Sequence, residues 1–242
     1  MVRGARLVPV LALAACASGR DTPQQDAAAA DAPCEMKTFY RDGDGDLHGD
    51  PAMPVEACEQ PPGTSPDGDD CDDRDANRAP GLAEICDGLD NDCNPATAEV
   101  CPAGCVPVRR PPPDDVHVYL MCANPQSWNN AQAVCVSAAA ALVEIDDAGE
   151  NAFVRATANQ LLGAVAIHIG GSDIAVEGMW VWQSGTQFWQ GGPNGTAPLG
   201  RYANWGSGEP NNDGNEDCAE MRPDAKWNDG GCGDAQRFVC RR

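Results

Sequence analysis

The two halves of the chain differ in how apolar and polar residues alternate. Residues 116–121 alternate as the two faces of a β-strand do, and a helix is predicted to follow with Ser127 as its N-cap. The apolar positions of that helix recur every three or four residues, at Trp128, Ala131, Cys135 and Ala138.

A second helix is predicted to start after Asp147, which can serve as its N-cap. Glu150 stands where a capping box places a glutamate, and Phe153 and Leu161 are expected on the apolar side. Short strand-like segments follow, but residues 184–215 show almost no regular pattern. So long an irregular stretch inside a compact domain is typical of a functional loop or one held by a ligand.

Residues 34–104 have few large apolar side chains and carry 18 acids against four bases. Such a segment can hardly bury enough surface to offset the loss of chain entropy without cross-links. The whole chain has 37 acids, 16 bases and a net charge of −21. This charge excludes nucleic acid as the default partner and favours cations.

The N-terminus has the pattern of a secretion signal. Arg3 and Arg6 precede an apolar run that is too short to cross a bilayer and ends in LAAC. This ending resembles a bacterial lipobox, in which the signal is cut before a cysteine that receives a lipid. We therefore predict a signal peptide at residues 1–15, lipidation of Cys16 and a flexible tether at 16–33. An ordinary cleaved signal is the alternative.

The thirteen cysteines indicate disulfides formed in an oxidising compartment. Twelve of them follow Cys16, an even number that leaves Cys16 as the odd thiol. In the acidic segment, close spacing favours the pairs Cys58–Cys71 and Cys86–Cys93, because short loops lose little entropy on closure. Spacing alone does not determine connectivity.

A cation site is predicted at Asp42, Asp44 and Asp46, which alternate with glycines. This spacing lets several carboxylates turn towards one cation while the glycines form tight turns. Hard oxygen ligands without a nearby Cys/His pair favour Ca²⁺ over Zn²⁺. The segment is not an EF-hand, because Met53 stands at the twelfth position, where a bidentate glutamate is needed.

Three motifs lie within residues 38–93: FYRDGDGD, which contains the three aspartates above, DCDDRDANRAPG and EICDGLDNDC. Together they resemble the Asp- and Cys-rich metal-binding repeat named after MopE. The resemblance implies a calcium-stabilised, disulfide-bonded and mostly irregular module at residues 34–104. A solvated acidic linker is the alternative, although linkers rarely carry so many cysteines.

A series of short motifs runs through residues 105–242. In chain order they are Trp128 and Ala131 before Cys135, then ALVEIDDAGENAF, HIGGSD, EGMWVWQSG, YANWGSGEPNN, EDC, WND, and the closing Cys232 and Cys240. In this order they resemble a C-type lectin domain. The resemblance implies an α+β fold of two helices and short antiparallel strands with long calcium-binding loops. It also implies three disulfides, Cys135–Cys240, Cys218–Cys232 and Cys105–Cys122.

The loop GSGEPNNDGNEDC, residues 206–218, holds most of the predicted binding site. Glu209 and Asn211 flank Pro210, and a cis peptide before that proline would turn both side chains to one side. With residues from a later strand they offer Ca²⁺ five oxygen donors, three of which can be anionic. The predicted ligands, which also bind the sugar, are Glu209, Asn211, Glu216, Asn228 and Asp229.

Five side chains leave coordination places open on a calcium ion. The resemblance implies that two neighbouring sugar hydroxyls fill these places and hydrogen-bond to the same side chains. The order Glu-Pro-Asn resembles the mannose-type class, so the predicted partner is a glycan with mannose-type vicinal hydroxyls. A lectin-like fold with a decayed site is the alternative.

A second, structural ion is predicted beside the first. Asp173 and Glu177 stand four residues apart, and Glu216 and Asp217 can join them. Asn212 stands where the resemblance implies a further acid, which would weaken this site by one charge.

The sequence therefore predicts a non-enzymatic, calcium-dependent carbohydrate-binding lipoprotein on a bacterial outer membrane or cell surface. Its predicted role is adhesion or glycan recognition, and only its lipid would contact the membrane. The alternative is a structural calcium-binding surface protein whose lectin-like domain binds a protein partner. An enzyme is disfavoured because His48, His117 and His168 have no metal-ligand spacing. Carboxylates that bind a metal, as predicted for Glu209 and Glu216, cannot also serve as a general acid.

Overall fold

The computed structural model describes residues 34–111 and 117–242. The predicted signal peptide, the tether and the lipidation site at Cys16 lie outside the described residues. The described part has α-helices and mostly antiparallel sheets, so the predicted α+β class is confirmed. None of its helices is long and apolar enough to cross a membrane.

The acidic module contains one small antiparallel sheet. Its strands are β1 (Lys37–Arg41), β2 (Pro54–Ala57) and β3 (Thr64–Ser65), with β1 in the centre. Phe39 on β1 is buried, but the rest of the module consists mainly of turns. The small number of buried apolar residues agrees with the low apolar content of this segment.

The disulfides of the acidic module differ from those that spacing favoured. The predicted pairs Cys58–Cys71 and Cys86–Cys93 are wrong, and the observed pairs are Cys34–Cys58, Cys71–Cys93 and Cys86–Cys101. The pairing of β1 with β2 aligns Lys37 with Ala57 and so brings Cys34 near Cys58. Loop length was a poor guide because closure entropy grows only slowly with loop length.

The second sheet belongs to residues 105–242 and has nine strands. These strands are β4 (Cys105–Arg109), β5 (Val118–Gln126), β6 (Ala141–Leu142), β7 (Ile167–Ser172), β8 (Met179–Val181), β9 (Gln187–Gln190), β10 (Cys218–Met221), β11 (Trp227–Gly230) and β12 (Gln236–Arg241). The main path of the sheet runs in the order β11-β10-β7-β12-β5-β4, while β6 pairs with β12, and β8 pairs with β7 and β9. The pairing of β12 with β7 is parallel, and the other pairings are antiparallel. The disulfides Cys105–Cys122, Cys135–Cys240 and Cys218–Cys232 are those that the resemblance implied.

The first helix, α1 (Trp128–Ser137), forms where the apolar spacing predicted it. It buries Trp128, Ala131 and Cys135, and the disulfide from Cys135 attaches it to β12. Ser127 precedes the helix in extended conformation, but its side chain accepts no capping hydrogen bond.

The second helix, α2 (Ala148–Leu161), is capped by Asp147, whose carboxylate accepts from the backbone N–H of Glu150. Glu150 reaches back to the helix start, but its Oε2 accepts from the backbone N–H of Asp146 at 2.7 Å and not from that of the N-cap residue Asp147. It is buried and accepts hydrogen bonds from the Tyr119 hydroxyl at 2.7 Å and from Arg241 at 2.9 Å. Leu161, predicted on the apolar side, is 45% exposed because the buried face of α2 turns through earlier residues such as Val154.

Strand β4 lies at the edge of the large sheet and contains a proline. Pro107 lies in this strand, and β4 pairs antiparallel with β5. A proline is tolerated there because β4 is the edge strand of the sheet.

The acidic module packs directly against this edge. Buried Asp87 accepts a hydrogen bond from Arg242 at 3.3 Å and pairs with Arg109 at 3.6 Å. Cys86 joins the buried cluster that includes Cys105 and Val118. The C-terminal part of the module is therefore bound to the larger sheet by charge pairing and apolar contact.

Candidate functional site

A group of aromatic rings supports the loop at residues 206–216. Trp180, Trp182, Phe188 and Trp227 are buried, and Trp205 packs edge-on against Trp180 and Trp227. The loop begins on this support, because the backbone N–H of Gly206 donates to the carbonyl of Trp227 at 2.8 Å.

The peptide bond between Glu209 and Pro210 is cis, the geometry considered above for this motif. Glu209 is 7% exposed, and its Oε2 accepts a hydrogen bond from the side-chain amide of Asn211. The turn therefore brings the two side chains of the Glu-Pro-Asn motif together.

Asp229 holds the tip of this loop. Its carboxylate is completely buried and accepts from the backbone N–H groups of Asn211, at 3.0 Å, and Asn212, at 2.6 Å. Asp229 lies on β11, so the loop is bonded to the edge of the large sheet. Its carboxylate thereby links the two sequence-distant parts of the predicted ligand set.

Glu216 lies near the end of the same loop. Its backbone N–H donates to Asn212 Oδ1 at 2.7 Å, which closes the loop on itself. Burial raises the pKa of Glu216, and the charges of Asp229, Asp213 and Glu209 raise it further. Mutual repulsion of this kind is expected where carboxylates are arranged for a cation.

Asn228 completes the predicted set on β11, where it lies opposite Glu220 of β10. Its amide nitrogen donates to Glu220 Oε1 at 3.1 Å, which turns its Oδ1 towards Glu209 and Arg222. Hydrogen bonds therefore link four of the five predicted residues, Glu209, Asn211, Asn228 and Asp229, and Glu216 lies on the same loop.

Arg222, which sequence reasoning missed, also contacts this set. Its Nη2 donates to Glu209 Oε1 at 2.9 Å and to Asn228 Oδ1. The sequence could have indicated such a contact, because basic residues stand between the EDC and WND motifs, where a β-hairpin turns back towards the loop.

A second group of oxygens surrounds Asp173. This residue is 3% exposed, its Oδ2 accepts from the N–H of Gly178 at 2.8 Å, and its Oδ1 is buried without a partner. Burial raises the pKa of Asp173 to about 6, and the charges of Glu177 and Asp217 add to the effect. Glu177 accepts from the side-chain amide of Asn212 at 2.8 Å, so this group adjoins the loop.

Both groups fit a hard cation. Their side-chain donors are carboxylate and amide oxygens, the ligands that Ca²⁺ prefers. The unpartnered Oδ1 of Asp173 is the observation that favours a cation most directly, because a buried charge without a partner is costly.

The acidic module places its own carboxylates differently. Asp42, Asp44 and Asp46 each bring one oxygen within 4.8 Å of the others, as the sequence predicted. Asp42 uses both oxygens to accept backbone N–H groups, from Gly45 at 2.7 Å and Leu47 at 3.3 Å. The Oδ2 atoms of Asp44 and Asp46 are instead buried without a partner.

Asp70 joins this group from a later segment and was missed in the sequence. It is 4% exposed, and its Oδ2 is also buried without a partner. Burial raises the pKa of Asp70, and the charges of Asp46 and Asp44 raise it further. Its backbone N–H donates to the carbonyl of Gly49 at 3.2 Å, which places Asp70 beside the loop that carries those two residues. Because Asp70 stands far from Asp44 in the chain, spacing gave no signal for it.

Another acidic group lies at Glu84, Asp90 and Asp92, with one oxygen of each within 4.8 Å of the others. Glu84 is buried and accepts from the N–H groups of Asn91 and Asp92, each at 2.8 Å. The Oδ1 of Asp90 is buried without a partner. Within residues 34–111 and 117–242, groups this compact occur only in the acidic module.

Two family models match the chain. Residues 124–242 match the family described as "Lectin C-type domain", and residues 70–99 match a "Putative metal-binding motif" of the MopE type. Residues 124–242 therefore constitute a C-type lectin domain, and the predicted resemblance to both families is confirmed.

Curated relatives match the same part of the chain. C-type lectin domain family 4 member M of Gorilla gorilla gorilla is 33% identical over 124 residues, which are 51% of this chain and 30% of that protein. CD209 antigen-like protein C of Mus musculus is 33% identical over 124 residues, covering 51% of this chain and 62% of that protein. The match thus spans less than two thirds of either relative. The cow carbohydrate-recognition domain of CD23, solved in the presence of a GlcNAc2Man3 oligosaccharide, is 28% identical. It aligns with 59% of this chain and 95% of its own, with a TM-score of 0.45.

Proposed function

We propose that this protein binds carbohydrate through a calcium ion held between the 206–216 loop and β11. The observation that carries the proposal is that hydrogen bonds bring Glu209, Asn211, Asn228 and Asp229 together, with Glu216 on the same loop. A bound calcium ion would supply open coordination places for two vicinal sugar hydroxyls.

The chain's own residues have separate roles in this proposal. Asp229 holds the loop to β11 through two backbone N–H groups. Glu209 and Asn228 each present an oxygen to the same point in space, since both oxygens contact one arginine nitrogen. A carboxylate or amide oxygen can accept a hydrogen bond from a sugar hydroxyl, so the pair can recognise hydroxyls of fixed geometry.

The order Glu209-Pro210-Asn211 supports a preference for mannose-type sugars, because carboxylate and amide stand in the order typical of that class. The Asp173 group would hold a structural calcium ion beside the binding site. The module's groups around Asp44 and Glu84 would hold further cations and stabilise residues 34–104. We further propose, from the N-terminal sequence alone, that a lipid on Cys16 attaches the protein to a bacterial surface for adhesion or glycan recognition.

One observation favours a second function. Arg222 bonds to two of the predicted ligand oxygens, as a cation-independent site would require. Under this alternative the domain binds a protein partner and calcium has only a structural role. No chemical reaction is assigned under either proposal.

A glycan array with and without chelator tests the first proposal. We expect binding to mannose-type glycans that is lost with EDTA and lost in Glu209→Gln. Asp213→Asn is the matched control, because it removes one exposed carboxylate from the same loop. Binding that survives chelation, or no binding to any glycan, contradicts calcium-dependent lectin activity. For the anchor, mass spectrometry of the mature N-terminus should show a lipidated Cys16.

A further inference from the structure

Arg222 contacts two of the oxygens that the proposed calcium ion needs. Its Nη2 lies 2.9 Å from Glu209 Oε1 and also donates to Asn228 Oδ1. Both acceptors are largely buried, with Glu209 at 7% and Asn228 at 9% exposure. A charge-assisted bond to a buried carboxylate is among the stronger contacts in proteins.

Calcium and the guanidinium cannot use these oxygens together. A calcium ion binds oxygen at about 2.3–2.6 Å. An ion at Glu209 Oε1 and Asn228 Oδ1 would therefore lie against the arginine nitrogen that contacts both atoms. Two positive charges at such a distance repel each other, so binding of the ion requires the guanidinium to leave.

The side chain of Arg222 can leave without unfolding the hairpin. It is 41% exposed, so solvent is available to receive it. The backbone is held separately, because Arg222 N–H donates to the Lys226 carbonyl at 2.8 Å and its own carbonyl accepts from Ala225 at 3.0 Å. The turn thus keeps its shape while the guanidinium changes position.

We infer that Arg222 is a positioning residue that holds the glycan-site oxygens in the calcium-free protein and competes with calcium for them. The inference rests on the proposed function and adds a control on its affinity. With Arg222 in place, Glu209 and Asn228 stay paired when no ion is bound. The same contact lowers the affinity for calcium, because it must be broken first.

Calcium titration of the chelator-treated full chain by calorimetry tests the inference. The binding event of this site is identified as the one that Glu209→Gln abolishes. We expect Arg222→Gln to bind calcium about two- to fivefold more tightly in that event, the upper part of the range for a partly exposed ion pair. Arg222→Lys, which keeps the charge but loses the forked geometry, should give a smaller gain. The control Arg201→Gln removes an exposed arginine of the long loop and should change nothing.

Thermal unfolding gives a second readout that separates competition from general damage. Arg222→Gln should lower the unfolding temperature in EDTA and leave it unchanged in saturating calcium. Equal or weaker calcium binding by Arg222→Gln would overturn the inference, as would equal destabilisation in both conditions.

The two proposals give different results if the wild-type chain lacks the Glu209-dependent event. Its appearance in Arg222→Gln would support the inference and contradict calcium-dependent binding by the native site. Its absence from both proteins would overturn both proposals.

Discussion

The lectin domain and the acidic module differ in whether their buried carboxylate oxygens have hydrogen-bond partners. In the lectin loop the carboxylates of Glu209 and Asp229 are already bonded to Arg222 and to backbone N–H groups. In the module the Oδ2 atoms of Asp44, Asp46 and Asp70 are buried without partners. The lectin loop also rests on a large apolar core, whereas the module has little core of its own. The difference indicates that a cation is more important for the stability of the module than for that of the lectin domain.

Removal of calcium should produce the largest difference between the two regions. We expect EDTA to reduce amide protection across residues 34–104 while β5, β7 and β12 of the lectin core remain protected. Each ion present at a hundredfold its dissociation constant contributes about 2.7 kcal/mol, and the module lacks a core that could replace this. Hydrogen exchange with and without calcium is the measurement. Equal loss of protection in both regions would show that the core does not make the lectin domain independent of the ion.

Substitution of Asp70 should separate the effects of charge and cation. In calcium, Asp70→Asn should lower the unfolding temperature of the module, because a ligand is lost. In EDTA the same change should raise it, because one of several repelling buried charges is removed. Each effect should be a few degrees, on the scale of about 1 kcal/mol.

Asp67→Asn is the matched control for Asp70→Asn, since Asp67 is exposed in the same segment. Effects of the same sign in the two conditions, or effects as large in the control, would contradict a cation site at Asp44, Asp46 and Asp70.

The double change Glu209→Gln and Asn211→Asp tests how the lectin site selects its sugar. It keeps the number of oxygen donors and reverses the order of carboxylate and amide, so the preference should move from mannose towards galactose. Competition by the two free sugars against array binding measures the change. Unchanged preference for mannose would mean that the order of these two side chains does not select the sugar.

The pH response of Asp173 should give the smallest effect. Its folded pKa of about 6 is above the ordinary value of 3.8, so its neutral form is favoured in the calcium-free fold. The contribution of Asp173 to stability should therefore decrease as pH rises from about 4 to about 6. At pH 7, Asp173→Asn should raise the calcium-free unfolding temperature by about 2–4 °C. The increase should be absent at pH 4, where the wild-type group is neutral, and an equal increase at both values would contradict the assignment.

The predicted features that agree with the structure depend mainly on local sequence. Helix α1 follows from apolar spacing around Trp128 and Cys135, and the cap of α2 follows from Asp147. The Glu209–Pro210 turn combines a motif with a local cis bond. The residues of each feature lie close together in the chain, so local sequence is enough to indicate them.

The predicted features that were wrong or missed depend on residues distant in the chain. Cys34 pairs with Cys58 because β1 lies against β2, and loop length alone gave another partner. Glu150 has the local pattern of a capping box and accepts from the backbone N–H of Asp146, but its other oxygen bonds to Tyr119 and Arg241 in the core. A local pattern cannot show which distant side chain competes for the same group.

The side chains available for binding and cross-linking can be identified from the sequence alone. They are an excess of acids, oxygen donors at Glu209, Asn211 and Asp229, and cysteines able to cross-link a module with little core. Which donors meet, and what they contact, depends on the folded domain. A backbone hydrogen bond to Gly49 places Asp70 beside the loop of Asp44 and Asp46, and the β10–β11 hairpin brings Arg222 to Glu209 and Asn228. The physical reason is that electrostatic interactions act through space, so their energies depend on distances that the order of residues does not contain.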